Sequence, residues 1–594
     1  MIILGVNSSH NATACLLKDG KIIACISEER LTRVKNQAGL PVLAIQECLR
    51  IAGLQEADID YLVFNFLDPK SNLGFYLHKT ERGKITTDKG LNFKDKITTT
   101  LWSLKERTLT NIPNSRFVID NILNNFYTYF VDPQLKQQLY KQIESKLSIP
   151  KAKVVNSEHH NAHGYAAYYS SPFPKTKPIL IFTLDSSGDG VCATVSIAKG
   201  DNIKRIATTK SGSSISDLYL ATTTYLGMKP VEHEHKVMGL AAYSEAKHYQ
   251  SALNKIRPLV WVNSDLTFGT KIHSHMFYQL LPSLFAYERF DNVAAAVQIL
   301  TEERVCNWIK LAINKTGIYD LVCGGGTFMN VKVNQRIANL KEVKNLFIMP
   351  SAADESTAIG AAYWAHKKLN WKKTALSEIQ KLDDLYLGRD FTSEEIQQAL
   401  QKNKSKQFIS KPKNINTVVA SLLAKGQIVA RFAGRSEWGA RALGNRSILA
   451  HPAKLEVIPE INKQIKSRDF WMPFAPSILE EDQNEYFINT KKISTPYMMI
   501  TFDSTEKGKQ CLGSALHQYD STLRPQVVYQ KWNPDYFQLI KEFKKLTGTG
   551  GLLNTSFNLH GYPIVYSPED ALIVFHNSGL KYLALGPYLI SKHK

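Results

Sequence analysis

Short apolar runs broken by polar loops open the chain. "IILGV" (2–6) leads into the polar "NSSHNA", then "TACLLK", an Asp19-Gly20 pair and "KIIACISEE". This pattern predicts strand, loop, strand, tight turn, strand, and Asp-Gly between two apolar runs is a strong hairpin signal. The same order returns about 180 residues later as "PILIFTL", "DSSGDG", "VCATVSIAK", a Gly200-Asp201 turn and "NIKRIATT". Elsewhere the pattern turns helical. "NSEHHNAHGYAAYYSS" (156–171) reads as a helix with Ser157 as cap, Glu158 in its first turn and Ala162, Ala166 and Ala167 inside. "LVCGGGTFMNVKVNQRI" (321–337) is a short strand, three glycines and a helix-like stretch. "IMPSAADESTAIGAAYWA" (348–365) passes through Asp354 into an Ala/Gly-rich helix. Residues 366–385 are charged and lack dense apolar patterning, which places a boundary there. Two domains are expected, 1–370 and 380–594.

Two copies of a strand–loop–hairpin unit separated by helical sequence are what a duplicated actin-like (ASKHA) fold looks like in sequence. In such a fold the two loops face each other across a cleft and grip the phosphates of a nucleotide. Two ordinary hairpins would give the same pattern. The whole chain reads as α/β, an actin-like domain followed by a second α/β domain.

Length and composition narrow the class. A chain of 594 residues exceeds one core, and 44% hydrophobic with 21% charged content suits a folded, water-soluble protein. The start lacks a cationic lead and a long apolar run, and no window reaches a membrane span. Seven cysteines without a C-x-x-C pair argue against a disulfide framework and a zinc ribbon, so a reduced, cytoplasmic protein is expected. The net charge of +20 suits nucleic acid, an acidic surface or anionic small substrates. No nucleic-acid motif is present, and a lysine-rich genome accounts for such an excess equally well.

Three histidines fall within five positions, His159, His160 and His163. On a helix His159 and His163 share a face, with His160 turned about 100° away. The spacing resembles the zinc-protease helix, but His160 stands where that motif has its glutamate, which disfavours a protease. Two imidazoles one turn apart can hold a metal ion or a phosphate, or can simply hydrogen-bond on a half-buried helix. Asp185 from the second repeat loop and Asp354 would both reach the cleft, making a two-His, two-carboxylate set suited to iron, manganese or zinc. Gly324, Gly325 and Gly326 would let backbone pass close to a phosphate or an adenine.

The last third adds a basic constellation. "IVARFAGRSEWGARALGNRSILAHP" (428–452) sets Arg431, Arg435, Arg441 and Arg446 among glycines, and "IKSRDFWMPFAPSIL" adds Lys466 and Arg468. "STLRPQVV" adds Arg524, while "GLLNTSFNLHGYPIVYSPEDAL" supplies Asn554, Thr555, Ser556 and Asn558 after an apolar strand. Guanidinium forks bind carboxylate and phosphate oxygens in pairs, and neutral donors at a strand end can orient a small polar group.

With these residues in view, the chain resembles over nearly its whole length the O-carbamoyltransferases of the NodU/CmcH family. The matching stretches are "EERLTRVKN", "EHHNAH", "HKVMGLAAY", "CGGGTFMNVKVN", "GARALGNRSILA", "RDFWMPFAPSIL", "TLRPQVV" and "LLNTSFNLHGYPIV". The resemblance implies an actin-like domain, related to the enzyme that completes threonylcarbamoyl-adenosine in tRNA, fused to a YrdC-like domain. It implies that the YrdC-like domain makes carbamoyl-adenylate from ATP, with Mg²⁺, and carbamoyl phosphate, and that the actin-like domain passes the carbamoyl group to a hydroxyl of a small molecule. It implies metal ligands His159, His163, Asp185 and Asp354, with iron the expected ion, and His10 lining the acceptor site as general base. Gly188, Gly324, Gly325, Gly326 and Asn330 would contact the nucleotide or adenylate. Arg435, Arg441, Arg446, Lys466, Arg468, Arg524, Asn554, Ser556 and Asn558 would hold carbamoyl phosphate and ATP. No nucleic-acid or membrane partner is implied, and a homodimer stays open.

Four stretches depart from the family pattern, and the first two touch the acceptor side. His10-Asn11 replaces the family's His-Asp, Lys35-Asn36 its Lys-His, Gly561-Tyr562-Pro563-Ile564 its "GEPI", and Glu234-His235-Lys236 the "EGK" of "EGKVMGLAPYG". A tRNA threonylcarbamoyl-adenosine enzyme would use separate proteins for the two domains. An actin-like scaffold needs no arginine-rich second domain, and a hydrogenase-maturation enzyme brings cysteine-rich zinc modules that this chain lacks.

Overall fold

The computed structural model describes residues 1–67, 132–369, 378–403 and 407–592. Antiparallel β1 (Ile2–Asn7), β2 (Thr13–Lys18) and β3 (Lys21–Ser27) are extended by parallel β4 (Tyr61–Phe64) and β5 (Val154–Asn156), in the order β3-β2-β1-β4-β5. The predicted Asp19-Gly20 turn joins β2 to β3, both residues having positive φ (49° and 80°). The second sheet repeats this plan. Antiparallel β6 (Ile179–Gly188), β7 (Val191–Lys199) and β8 (Asn202–Lys210) precede a small hairpin, β9 (Val260–Val262) with β10 (Phe268–Thr270). Then β11 (Asp320–Gly324) and β12 (Asn345–Ile348) join β6 in parallel, giving β8-β7-β6-β11-β12. The duplication read from the repeat is present strand for strand.

Two helices between the sheets create the site by crossing over. Helix His159–Ser170 follows the first sheet but packs on β6 and β11, whereas helix Thr357–Lys368 follows the second sheet but packs on β1. Small residues permit this. A Cβ on Gly5 would stand 1.9 Å from the Ala358 carbonyl oxygen, and one on Gly360 would stand 1.7 Å from that of Ala162. Backbone cannot yield as a flexible side chain does. Gly360→Ala should therefore destabilise the protein by about 3 kcal/mol in denaturant titration and separate the two helices that carry the site. Stability equal to the parent's would show that the helices are not held at this distance.

The C-terminal half builds a mixed sheet of eight strands. Its strands are β13 (Phe408–Ser410), β14 (Val429–Phe432), β15 (Arg446–Ala450), β16 (Ala475–Leu479), β19 (Gln526–Val528), β20 (Gly551–Ser556), β21 (Tyr582–Leu585) and β22 (Tyr588–Ser591). They run in the order β13-β22-β21-β14-β15-β20-β16-β19, and β17 (Phe502–Asp503) with β18 (Thr522–Leu523) forms a separate pair. Helices Ile415–Ala424 and Pro534–Thr547 cover one face around Leu423, Leu539 and Phe543, while Pro568–His576 supplies Leu572 and Phe575 to another core.

The expected boundary is not a loose joint. Residues 370–377 lie outside the described ones, but the chain beyond them is strapped to both halves. Gln380 N–H donates to Gly20 O, Leu382 N–H to Ser170 O, Gly388 N–H to Ser436 O, and Leu387 O accepts from Cys25 N–H. Charged residues hid this because the straps are made by backbone. "EERLTR" is a clasp: Arg30 donates to Gly439 O (2.7 Å), and Arg33 to Ile564 O (2.6 Å) and Pro563 O (2.9 Å). The Tyr566 hydroxyl donates to Glu47 at 2.7 Å, and one continuous apolar core runs from Ile3 to Val527.

Candidate metal centre and basic pocket

Helix His159–Ser170 starts one residue later than its cap was expected. Ser157 is drawn away because its N–H and its hydroxyl both donate to Phe64 O (2.8 and 3.0 Å), so Glu158 caps the helix by accepting from Asn161 N–H (2.6 Å). His160, on the other face, is bound on both ring nitrogens, by Thr183 Oγ1 (2.7 Å) and the Val191 carbonyl (3.0 Å). It is a structural residue, held neutral by burial. His159 and His163 turn their Nε2 atoms toward one another at 3.1 Å.

Asp185 and Asp354 close the cluster. Asp185 sits late in β6 and its Oδ2 lies 3.2 Å from His163 Nε2 and 3.6 Å from His159 Nε2. Asp354 precedes helix Thr357–Lys368, and its Oδ1 is 3.6 Å from both Nε2 atoms. It is not a helix cap, since its carboxylate faces the histidines and accepts from Ser9 Oγ at 2.6 Å. The four donor atoms lie within 4.8 Å of one another, from two buried imidazoles and two largely buried carboxylates. Burial alone would push both carboxyls up, but the histidines outweigh it and hold both below the usual carboxylate range. Burial would likewise keep His163 neutral, yet its bonds to Asp185 and Asp354 raise it to about 9. Two nitrogen and two oxygen donors converging in a buried site fit a divalent first-row ion.

The surroundings are shaped to this cluster. His159 stacks on Phe66 at 4.6 Å, and its Nδ1 is buried without a hydrogen-bond partner. A Cβ on Gly188 would stand 2.0 Å from the His159 ring, so that glycine seats the ring. Added carbons on Gly324, Gly325 and Gly326 would meet His163 O (2.9 Å), Leu184 O (2.4 Å) and Asp185 Oδ1 (3.0 Å). Backbone contacts at the cluster thus already require Gly324 and Gly325, while a side chain at Gly326 would press on the Asp185 carboxylate. Asn330 is engaged as well, capping helix Val331–Ala338 through Val333 N–H (3.1 Å) and pairing with Gln298. His10 Nδ1 lies 3.5 Å from Asp354 Oδ2. Its loop is fixed by Asn7, whose amide donates to His10 O (3.0 Å) and Asn11 O (3.2 Å).

A second constellation lies at the C-terminal end of β20. Lys466 Nζ donates to Ser556 Oγ (3.0 Å) and Asn558 Oδ1 (2.6 Å), and Arg468 to Thr555 Oγ1 (2.9 Å). The Asn554 amide donates to Ala442 O (3.1 Å), Ser477 Oγ (3.0 Å) and Gln526 Oε1 (3.2 Å), tying in the loops that carry Arg441 and Arg524. Among the described residues neither the Arg441 nor the Arg524 guanidinium has a hydrogen-bonded or ion-paired partner, and the Nε of each is buried. Burial pulls Arg441 and Arg468 down to about 10. Arg524 falls further, through burial and then the charges of Arg441 and Arg468, and Lys466 through burial, Arg468 and Lys35. Buried cations that repel one another are costly unless an anion joins them. The arrangement suits an anionic ligand.

Arg435 and Arg446 stand apart from it. Arg435 is a strut to Gly388 O (2.9 Å), Leu387 O (3.1 Å) and, in the other half, Ile23 O (2.9 Å). Fully buried Arg446 lies 3.6 Å above the Phe432 ring and donates to Ala433 O, Gly434 O and Asn445 O. Spacing along the chain grouped them with Arg441, but Arg435 turns to nearby carbonyls, and Arg446 does so through Nη1 while its buried Nε and Nη2 have no hydrogen-bond partner among the described residues. Conversely, Lys35, His235 and Glu355 reach this region without having been singled out as site residues. Glu355 follows the metal-site Asp354, and its charge acts on both Arg441 and His10. In sequence His235 is visible as a departure from the family pattern, and Lys35 only as the residue before one, Asn36.

A four-donor cluster in one half and a cluster of buried cations in the other suit an enzyme that transfers a group, and the class itself is given by similarity to known proteins. The Carbamoyltransferase N-terminus model matches residues 2–363 and the Carbamoyltransferase C-terminus model residues 420–592. Nodulation protein NolNO of Sinorhizobium fredii is 30% identical, over 98% of this chain and 79% of its own length. An uncharacterized Synechocystis protein, sll1178, is 30% identical over 99% of this chain and 96% of its own. The 3'-hydroxymethylcephem-O-carbamoyltransferase of Amycolatopsis lactamdurans is 28% identical over 45% of this chain and 48% of its own. The chain belongs to the carbamoyltransferase family. Among the described residues no helix is long and apolar enough to cross a membrane, and no disulfide links the seven cysteines.

Proposed function

We propose that this carbamoyltransferase is ATP-dependent and divides its reaction between its two halves. The observation that carries the reading is the buried set of cations Arg441, Lys466, Arg468 and Arg524 in the same chain as the four-donor cluster, with Glu355, next to Asp354, acting on Arg441 through its charge. In the C-terminal half, read as a YrdC-like unit, water cleaves carbamoyl phosphate to carbamate and phosphate. A carbamate oxygen then displaces pyrophosphate from the α-phosphorus of ATP, brought in with Mg²⁺, and carbamoyl-adenylate results. The arginines and Lys466 hold the anions and screen their mutual repulsion.

In the N-terminal half the acceptor hydroxyl attacks the carbamoyl carbon, and the bond to the AMP oxygen breaks. His10, whose Nδ1 lies 3.5 Å from Asp354 Oδ2, takes the hydroxyl proton. Gly188 and Phe66 keep the His159 ring in place. A metal held by His159, His163, Asp185 and Asp354, iron by family resemblance, would supply Lewis acidity toward the adenylate's phosphate. The acceptor is read as a small molecule, in line with the relative named for a hydroxymethylcephem. Purified protein should release pyrophosphate only when ATP and carbamoyl phosphate are both present. Equal release from ATP alone would contradict the activation step.

A further inference from the structure

Helix Glu234–Ala241 belongs to the N-terminal half, yet it is clamped to the loop that carries Arg468. Lys236 Nζ pairs with Asp469 at 2.9 Å, and His517 Nε2 lies 3.0 Å from Gly239 O. A Cβ on Gly239 would stand 3.2 Å from Trp471 O, so helix and loop touch backbone to backbone. The clamp brings His235, next to Lys236, beside the segment that carries Arg468, next to Asp469. Charged neighbours reach its ring from three other segments, Arg441, Arg468 and Lys35, and His233 and Glu234 flank it on its own. No described residue hydrogen-bonds the His235 ring, and the residue is only half-buried.

We propose that His235 is a ligand-facing member of this pocket, hydrogen-bonding the phosphoryl group of the bound anion and taking up one proton as that anion enters. The inference rests on the reading that the pocket holds a phosphoryl anion. Without an anion, burial and then the charges of Arg441, Arg468 and Lys35 hold the imidazole well below its usual range, and the ring is neutral. A neutral ring presents one donor and one lone pair, and the lone pair repels an anionic oxygen, whereas the protonated ring offers two donors. A dianion placed among the same cations reverses the sign of the field at the ring and favours its protonation. Lys466 and Arg524 are the other basic groups of the pocket that burial pushes well down, but Ser556 and Asn558 already engage the Lys466 ammonium and a guanidinium keeps its proton near neutrality. His235 is the group whose ring is still open to a ligand.

The phosphoryl group can come from carbamoyl phosphate or from the triphosphate of ATP, and calorimetry separates the two. Sulfate is the first probe because it does not titrate near neutrality. Its binding enthalpy, measured in buffers of different ionisation heat at pH 7.5, should report uptake of about one proton, and its Kd should weaken about tenfold per pH unit above pH 7. In His235→Gln and His235→Gly, melting with the parent, sulfate should bind with a flat pH profile and no uptake. Carbamoyl phosphate and ATP are then titrated separately into parent and variant. The ligand whose parent-minus-variant difference retains the proton is the one His235 faces. Undiminished uptake in both variants, or no difference with either substrate, overturns the assignment and points to Lys466. Failure of sulfate and of both substrates to bind the parent overturns the pocket reading itself.

Discussion

Arg524→Met should lower carbamoyl-phosphate-dependent pyrophosphate release by about a hundredfold or more while leaving the protein at least as stable as the parent. The two effects have one cause. Arg524 has no carboxylate or hydrogen-bonded partner among the described residues, its Nε is buried, and Arg441 and Arg468 add repulsion. In the free protein this is a cost, and an apolar side chain of similar length removes it, so denaturation should show a gain of about 1 kcal/mol. In the complex the same guanidinium forks onto an anion. Charge-assisted hydrogen bonds contribute about 1.5–3 kcal/mol each, and losing a pair of them accounts for the fall. A variant that loses stability along with activity would show Arg524 to be a structural strut, as Arg435 is.

His159→Ala should abolish transfer to the acceptor and strip the metal. The ring is a quarter of the donor set and is held by Phe66 on one face and Gly188 at its edge, so no neighbour can swing in to replace it. Metal content should fall from about one ion per chain to a small fraction, because each ligand of a small donor set is needed to hold the ion. Transfer should fall roughly a thousandfold, in line with the several kcal/mol that a bound cation supplies to a developing charge. Metal analysis showing equal content in variant and parent would reject the ligand set.

How far the sequence shows all this differs between the two sites. The four-donor cluster is legible because its parts carry local signals: His159 and His163 lie one helical turn apart, Asp185 sits in the loop of the visible repeat, and Asp354 stands just before an Ala/Gly-rich helix. Its framing is not. That each helix packs on the other sheet depends on Gly5 and Gly360, which look like ordinary helix and strand glycines until a backbone carbonyl is found less than 2 Å from their missing Cβ. The glycine run at 324–326 suggested room for a phosphate, whereas its immediate contacts are with His163, Leu184 and Asp185. The basic pocket is legible in residue type but not in membership. Arg441, Arg468 and Arg524 come together through the Asn554 and Gln526 network, and Lys35 and His235 arrive from the other half by tertiary contact alone.

Separating the two half-reactions tests the division of labour most directly. Carbamoyl-adenylate, prepared independently and supplied together with an acceptor that the parent carbamoylates, should restore transfer in Arg524→Met and leave His159→Ala inactive. Without it, His159→Ala should still release pyrophosphate from ATP when carbamoyl phosphate is present, whereas Arg524→Met should not. If His159→Ala stops pyrophosphate release as completely as Arg524→Met does, or if supplied adenylate rescues neither variant, the two sites do not divide the reaction as proposed.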